Sequence, residues 1–245
     1  MPFTFSHPAI ILSFTYLPRK WFSFTGLIIG SLTPDFEYFI RMKVQSNYSH
    51  TFYGIFWFDL PLAIVISFLF HNLVKNDLFF NSPNFIKSRL SSYISFSWNH
   101  YFKTHWTIIL ISIITGIISH LFWDCFTHQH GYFTEHISVL KNTITFFGHE
   151  IPIWKISQHI STVTGAIIII LSFMKLPQNS IQHPAISQKY WTAVIILTLS
   201  ILVLRFSIHL KELIFGNIIV TVISAFLISL VLSPALIKSK ASSEI

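Results

Sequence analysis

The chain has 245 residues, of which 52% are hydrophobic and only 10% are charged, and its mean hydropathy is +0.62. Soluble domains carry about 25% charged residues, so this composition excludes an ordinary soluble protein and requires a surface that lipid covers. The formal net charge is +7, but the basic residues are scattered, which argues against nucleic-acid binding and favours contact with anionic lipid headgroups.

Continuous apolar stretches of about 20 residues predict transmembrane helices, whereas barrel strands would alternate apolar and polar residues. Five stretches qualify, at 54–74, 106–126, 160–176, 190–206 and 213–232. A sixth stretch, 21–32, is short and ends in Thr33-Pro34-Asp35, so we expect a buried or interfacial helix, with a sixth span left open. The predicted fold class is an all-α, polytopic membrane protein with a helical metal-site core.

The segments between the spans differ in character. Residues 75–105 are expected to form a polar loop, and residues 127–158 form a segment rich in His, Glu and aromatic residues. With five spans, the N-terminal segment and the 127–158 segment lie on the same membrane face. We therefore predict a helical membrane domain at 1–176 that carries the site, followed by a C-terminal transmembrane hairpin at 177–245.

The most informative motif lies at the end of the second predicted span. His120, Asp124 and His128 are spaced i, i+4, i+8, so they share one stripe of a helix. Ionisable side chains at such a depth are costly in lipid and are often functional. A His and a carboxylate one turn apart can bind the same divalent ion, and the alternative is a His–Asp hydrogen bond that locks two helices.

Three weaker signals lie upstream of this motif. Asp35 follows Pro34 at the end of an apolar segment, His50 precedes the first span, and His7 precedes Pro8. Each alone is typical of a cap or a turn. Taken together with the helical pair, they form a mixed set that suits zinc or another first-row divalent ion. The candidate metal ligands are His7, Asp35, His50, His120 and Asp124.

A bound ion of this kind supplies an activated water at neutral pH, so the set predicts hydrolysis. Glu37 and His128 are the candidate general bases. The main alternative is an ion or small-molecule transporter, but its polar residues would be spread through the membrane depth rather than gathered at one end. A second alternative is a structural membrane protein in which the His–Asp contacts only hold helices together.

Five blocks of sequence resemble an uncharacterised bacterial membrane family known as domain of unknown function family 4184. They are MPFTFSHP at 1–8, GSLTPDFE at 30–37, SHT at 49–51, SHLFWDCFTH at 119–128 and QHIST at 158–162. The resemblance covers residues 1–235 and implies a multi-pass protein of the bacterial inner membrane.

The order His, Asp, His, His-x-x-x-Asp is also similar to that of membrane-bound metal-dependent hydrolases and, more distantly, zinc-dependent phospholipase C and P1-type nucleases. This resemblance implies zinc on the five candidate ligands and a phosphoester substrate, such as a phospholipid headgroup. The further His-x-x-x-Glu of the soluble enzymes does not occur here, so a single ion is expected. His128, His130, Glu135, His136 and His159 are the residues that could replace it.

Overall fold

The computed structural model describes residues 3–179, 186–209 and 214–237. These residues are largely helical, which confirms the predicted all-α class. Parts of the predicted hairpin at 177–245, including its connector, its turn and its tail, lie outside the described residues.

The α-helices differ greatly in length, from four residues to thirty. They are α1 Pro8–Ile11, α2 Phe24–Leu32, α3 Phe36–Arg41, α4 Leu60–Leu69, α5 Lys75–Phe80, α6 Asn84–Leu90, α7 Trp98–Thr127, α8 Tyr132–His136, α9 Ser138–Lys141, α10 Ile153–Met174, α11 Gln188–Ile208 and α12 Phe215–Leu236. Two wide helical turns, Ile55–Asp59 and Phe70–Val74, flank α4 and make it continuous with α5.

Five helical segments of the described chain are long and apolar enough to cross a membrane. They are Ile55–Phe80, Trp98–His136, Ile153–Met174, Gln188–Ile208 and Phe215–Leu236. Each contains most of one predicted stretch, so the predicted number is confirmed. Helix α2 has only nine residues, about 14 Å, and cannot cross a hydrocarbon core of about 30 Å. It is the short buried helix that its sequence predicted.

Two loop predictions need correction. The segment 75–105, predicted as a polar loop, is mostly helical and contains α5, α6 and the start of α7. The segment 127–158 contains α8, α9 and a hairpin of strands β1 Thr143–Phe146 and β2 His149–Pro152. Phe147 and Gly148 both have positive φ, as the tight turn between two antiparallel strands requires.

The described chain divides into two compact units. The first comprises Met1–Asp35, Tyr48–Ala63 and His105–Lys175, and the second comprises Phe36–Asn47, Ile64–Thr104 and Leu176–Ile245. One junction between the units, at Lys175 and Leu176, falls at the predicted boundary, but the second unit also includes Phe36–Asn47 and Ile64–Thr104. The predicted functional division at residue 176 stays a prediction. Helix α7 passes from one unit to the other at His105, where φ is −131° and ψ is 26°.

The second unit is built around the C-terminal helices. Val74, Tyr190, Val194 and Leu230 form its apolar core, and α11 and α12 pack against each other along their length. The buried ammonium of Lys75 donates hydrogen bonds to the backbone carbonyl oxygens of Tyr93, Ile94 and Phe96, at 2.8–3.0 Å. These bonds hold the turn at residues 93–96 in place.

The first unit holds all five candidate metal ligands. Ile11, Phe22 and Leu27 form a small apolar core under α1 and α2. Helices α2 and α7 cross so closely that a Cβ on Gly30 would lie 2.2 Å from the carbonyl oxygen of Ile113. A Cβ on Gly116 would lie 2.4 Å from the carbonyl oxygen of Leu27, so both glycines are needed where the two backbones meet.

Candidate metal centre

His120 and Asp124 form the base of the centre, one turn apart on α7. The side chain of His120 is fully buried, that of Asp124 is nearly so, and Nε2 of His120 lies 3.3 Å from Oδ2 of Asp124. Their i, i+4 spacing places both groups on the helix face that packs inward. The helical pair that the sequence predicted is therefore present with its two donor atoms side by side.

The imidazole of His120 is oriented by a backbone group. Its Nδ1 lies 2.7 Å from the carbonyl oxygen of Ser31, near the end of α2. A carbonyl oxygen can only accept, so Nδ1 is the donor and carries the proton. In the neutral ring Nε2 then has a free lone pair, the arrangement that orients histidine ligands in metal sites.

Asp35 comes to the same place from the turn after α2. Its side chain is fully buried, and Oδ1 lies 3.6 Å from Nε2 of His120 and 3.7 Å from Nε2 of His50. Pro34 ends the helix and turns the chain so that the carboxyl group points into the protein. Burial raises the pKa of Asp35 above its usual value because the charged form loses its hydration.

His50 approaches from the opposite side of the carboxylates. Its Nε2 lies 3.5 Å from Oδ2 of Asp124, and its ring meets the ring of His120 edge to face. The hydroxyl of Ser49, which is fully buried, lies 3.0 Å from Nδ1 of His50 and makes a hydrogen bond with it. This bond orients His50 as the Ser31 carbonyl orients His120.

His7 completes the group from the N-terminal segment. Its ring stacks on that of His120, with centroids 3.7 Å apart, and its Nε2 lies 3.7 Å from Oδ1 of Asp124. Only 4% of the residue is exposed, and this burial holds the pKa of His7 well below the usual value for histidine. His7 is therefore neutral at neutral pH, and one of its ring nitrogens has a lone pair that a cation can use.

Gly165 of α10 allows His7 to reach this position. The backbone of Ser6 packs directly on Gly165, where a Cβ would lie 2.8 Å from Cβ of Ser6 and 2.9 Å from its carbonyl oxygen. The amide of Phe3 also donates to the hydroxyl of Thr162 over 3.0 Å. These two contacts fix the N-terminal segment against α10.

The separations between donor atoms fit a shared ion better than they fit hydrogen bonds. Each of the four carboxylate oxygen to Nε2 distances among His50, His120, Asp35 and Asp124 lies between 3.3 and 3.7 Å. Two ligands of a tetrahedral ion, each about 2.0–2.2 Å from it, are about 3.3–3.6 Å apart.

Several of these atoms are also buried without a hydrogen bond among the described residues. They are both ring nitrogens of His7, both carboxylate oxygens of Asp35, Nε2 of His120 and both carboxylate oxygens of Asp124. Buried polar atoms normally have partners, so a cluster without them points to a missing ion or water. These His and Asp residues could therefore hold a metal ion.

The donors form two mutually close sets, His7–Asp35–His120 and His50–His120–Asp124. Both sets include His120, whose Nδ1 is already bonded to Ser31, so its Nε2 is the atom that the two sets share. All five predicted ligands therefore belong to one of two sets that meet at His120, and a single ion bound by all five stays a prediction.

The two predicted general bases lie in different settings. His128 is part of the first unit, half-buried, with Nδ1 3.4 Å from Oδ1 of Asp124. The carboxylate of Glu37 instead accepts from Arg41, from the hydroxyl of Ser46 and from the amide of Asn47, at 2.8–3.1 Å. Glu37 is thus tied to the chain segment that follows it, and its role as a base stays a prediction.

The other candidate histidines between residues 130 and 159 lie at the surface. His130 pairs with Glu135 over 3.6 Å, with 83% and 51% of these side chains exposed, and His136 bonds to the carbonyl oxygen of Tyr132. His159 is exposed on α10. A second ion on these residues stays a prediction.

Sequence reasoning missed the groups that orient the ligands. The Ser31 carbonyl has no sequence signature, because every residue has a carbonyl. The glycines that bring it to His120 do have one, since Gly26 and Gly30 form a Gly-x-x-x-Gly pattern within an apolar helix. Ser49 could have been found as the hydroxyl directly beside a candidate ligand.

Comparisons with known proteins give a family but no activity. No curated protein and no solved structure matches the chain. The sequence model described as "Domain of unknown function (DUF4184)" matches residues 1–235. This match covers nearly the whole sequence, including all five candidate ligands, and the chain therefore belongs to the DUF4184 family.

Proposed function

We propose that the protein is a membrane-embedded, zinc-dependent hydrolase that acts on a phosphoester or lipid-like substrate at the membrane surface. The observation that carries the proposal is the grouping of three imidazoles and two carboxylates in two mutually close sets that share His120. Three nitrogen and two oxygen donors suit zinc better than magnesium or calcium, which prefer oxygen ligands. The proposed location is the bacterial inner membrane.

The chemistry assigned to the site needs a nucleophile and a base. A zinc ion, when bound, lowers the pKa of a coordinated water toward neutrality. His128 is the better-placed base, since its Nε2 is buried without a hydrogen-bond partner among the described residues and its Nδ1 faces Asp124. Asp124 lies about one turn before the end of α7 at Thr127, and this position suits a substrate with its polar group at the membrane surface.

Metal analysis tests the proposal first. Protein purified in detergent should contain about one zinc ion per chain by mass spectrometry, and His120→Ala should lower the content by at least about tenfold, as removal of a ligand does. His149→Ala is the matched control, because this exposed histidine lies on the hairpin. The proposal would be overturned if the wild-type protein contained no zinc, or if the zinc content were equal in wild type, His120→Ala and His149→Ala.

Activity then separates a hydrolase from a metal-stabilised structural protein. Wild-type protein in phospholipid vesicles should release phosphate or a phosphorylated headgroup, and His120→Ala should not. Bound zinc without turnover of any phospholipid would favour the structural role, in which the ion only connects chain segments.

A further inference from the structure

A cavity of about 230 Å³ lies beside the candidate metal centre, within the first unit. It is enclosed by the N-terminal segment, α7 and α10, and its lining includes His7, Ile10, Trp123, Ser161 and Ile168. Most of the surface that it presents is apolar. A cavity of this chemistry takes a hydrocarbon group more readily than a polar solute.

The lining changes from polar to apolar along the cavity. The N-terminal segment and α10 run side by side in the same direction, because Phe3 bonds to Thr162 and Ser6 packs on Gly165. Ser161 and Ile168 are two turns apart on one face of α10. On the other wall, formed by the N-terminal segment, the polar residue His7 likewise precedes the apolar residue Ile10.

The cavity is lined in part by residues of the candidate membrane spans. Trp123 belongs to the second candidate span and Ile168 to the third, and 36% and 40% of their surfaces are exposed. Exposed apolar residues on membrane spans contact lipid, and tryptophan favours the level of the headgroups. Two lining residues of the cavity therefore lie on surfaces that lipid would contact.

The inner end of the cavity meets the candidate metal centre at His7. This residue is 4% exposed, and neither ring nitrogen has a hydrogen-bond partner among the described residues. Its Nε2 lies 3.7 Å from Oδ1 of Asp124. One side chain thus belongs both to the apolar cavity and to the polar centre.

We propose that this cavity binds an alkyl chain of a membrane phospholipid, so that the substrate reaches the metal centre sideways from the bilayer. The chain lies along Ile10 and Ile168, and the polar head lies toward His7. The placement of the head depends on the proposed hydrolase function, whereas binding of the chain depends only on the cavity.

Photolabelling tests the occupant. The probe is a phosphatidylcholine with a diazirine in one acyl chain, mixed into nanodiscs that hold the full-length protein, and the labelled residues are found by mass spectrometry. Labelling should concentrate on Ile10, Trp123 and Ile168. Ala9→Phe, which adds a ring at the cavity wall, should lower it by about tenfold, the change expected when about two methylene groups lose their burial.

A matched variant controls for the added ring. Ala166→Phe places the same side chain on an exposed position of α10 that does not line the cavity, and it should leave labelling unchanged. Thr164→Phe fills the cavity from the other wall and replaces Ala9→Phe if that variant does not fold. Labelling spread evenly over the exposed helix faces, unaffected by either filling variant, would overturn the proposal.

The test separates this inference from the proposed function. If cavity labelling is found but zinc and phospholipid turnover are absent, the chain-binding site stands and the hydrolase proposal fails. If zinc and turnover are found but the filling variants change neither labelling nor turnover, the hydrolase stands and the lateral route fails.

Discussion

Nδ1 of His120 donates a hydrogen bond to the carbonyl oxygen of Ser31 over 2.7 Å, and this bond joins α7 to α2. It fixes the rotation of the imidazole and leaves Nε2 as the group that faces Asp35 and Asp124. The bond forms only because the two helix backbones approach each other through glycine. Ligand geometry in this protein thus depends on helix packing.

The glycine contacts should control metal binding without supplying a ligand. Gly116→Ala puts a methyl group 2.4 Å from the carbonyl oxygen of Leu27, so α2 must move away and the Ser31–His120 bond is lost. We expect a loss of about 1–3 kcal/mol in the free energy of unfolding, typical of overpacking, together with lower zinc content. Thermal unfolding in detergent and metal analysis measure the two effects.

Gly216→Ala is the control for this substitution. There the new methyl group would meet only one methyl group of Val44, at 3.1 Å, and no backbone atom, and alanine favours the helix. Its zinc content should match that of wild type. Full zinc and unchanged stability in Gly116→Ala would show that the helix crossing does not position His120.

Ser49→Ala should weaken zinc binding by about 10–100-fold, the range seen when a group that orients a histidine ligand is lost. The hydroxyl is buried and bonds to Nδ1 of His50, so its removal lets the ring turn away from Asp124. Competition with a chromogenic chelator measures the affinity. Ser13→Ala, which removes an exposed hydroxyl, should leave the affinity unchanged, and equal affinities in both variants would contradict the assignment.

Glu37→Gln distinguishes a structural carboxylate from a general base. The buried carboxylate accepts hydrogen bonds from Arg41, Ser46 and Asn47, and loss of its charge should lower the free energy of unfolding by about 1–3 kcal/mol. Zinc content should persist. An unchanged unfolding temperature combined with abolished turnover would instead support Glu37 as the base.

Zinc affinity should depend on pH through the ionisation of Asp35. Burial raises the pKa of this carboxyl group, so the apo protein keeps it protonated to higher pH than the unfolded chain does. Its contribution to apo stability is therefore full at low pH and declines as the pH rises through the raised value. Zinc needs the ionised form, so zinc affinity should rise with pH over the same interval.

Calorimetry in buffers of different ionisation enthalpy measures the proton directly. Asp35→Asn should release up to one proton fewer than wild type on binding zinc. His7 should contribute none at neutral pH, since burial lowers its pKa and it is already neutral. Equal zinc affinity in wild type and Asp35→Asn at every pH measured would contradict the assignment of Asp35 as a ligand.

Much of the fold and of the candidate metal centre can be predicted from the periodicity of the sequence. The spans are predicted because about 20 consecutive apolar residues leave few alternatives, and the His120–Asp124 pair because i, i+4 residues share a helix face. Asp35 was predicted from its position after Pro34, although the distance that brings it to His120 is set by α2 and α7. That distance cannot be deduced from the spacing of the residues along the sequence.

The features that could not be predicted from the sequence depend on tertiary contacts. Residues 75–105 carry enough charge to resemble a loop, yet the ammonium of Lys75 is satisfied by backbone carbonyls inside the second unit. The β1–β2 hairpin was missed because its strands are only four residues long. Whether such short strands form depends more on the turn that joins them and on neighbouring residues than on the pattern of apolar residues in the sequence.

The five ligands all come from the first 124 of the 245 residues, and they belong to four separate parts of that stretch. During synthesis the donor set is complete before α10, α11 and α12 have been made. An ion captured at that stage would act as a cross-link between residues more than 100 positions apart, and would lower the entropy of the unfinished chain. The order of the candidate ligands along the sequence would thus allow metal capture before α11 and α12 assemble.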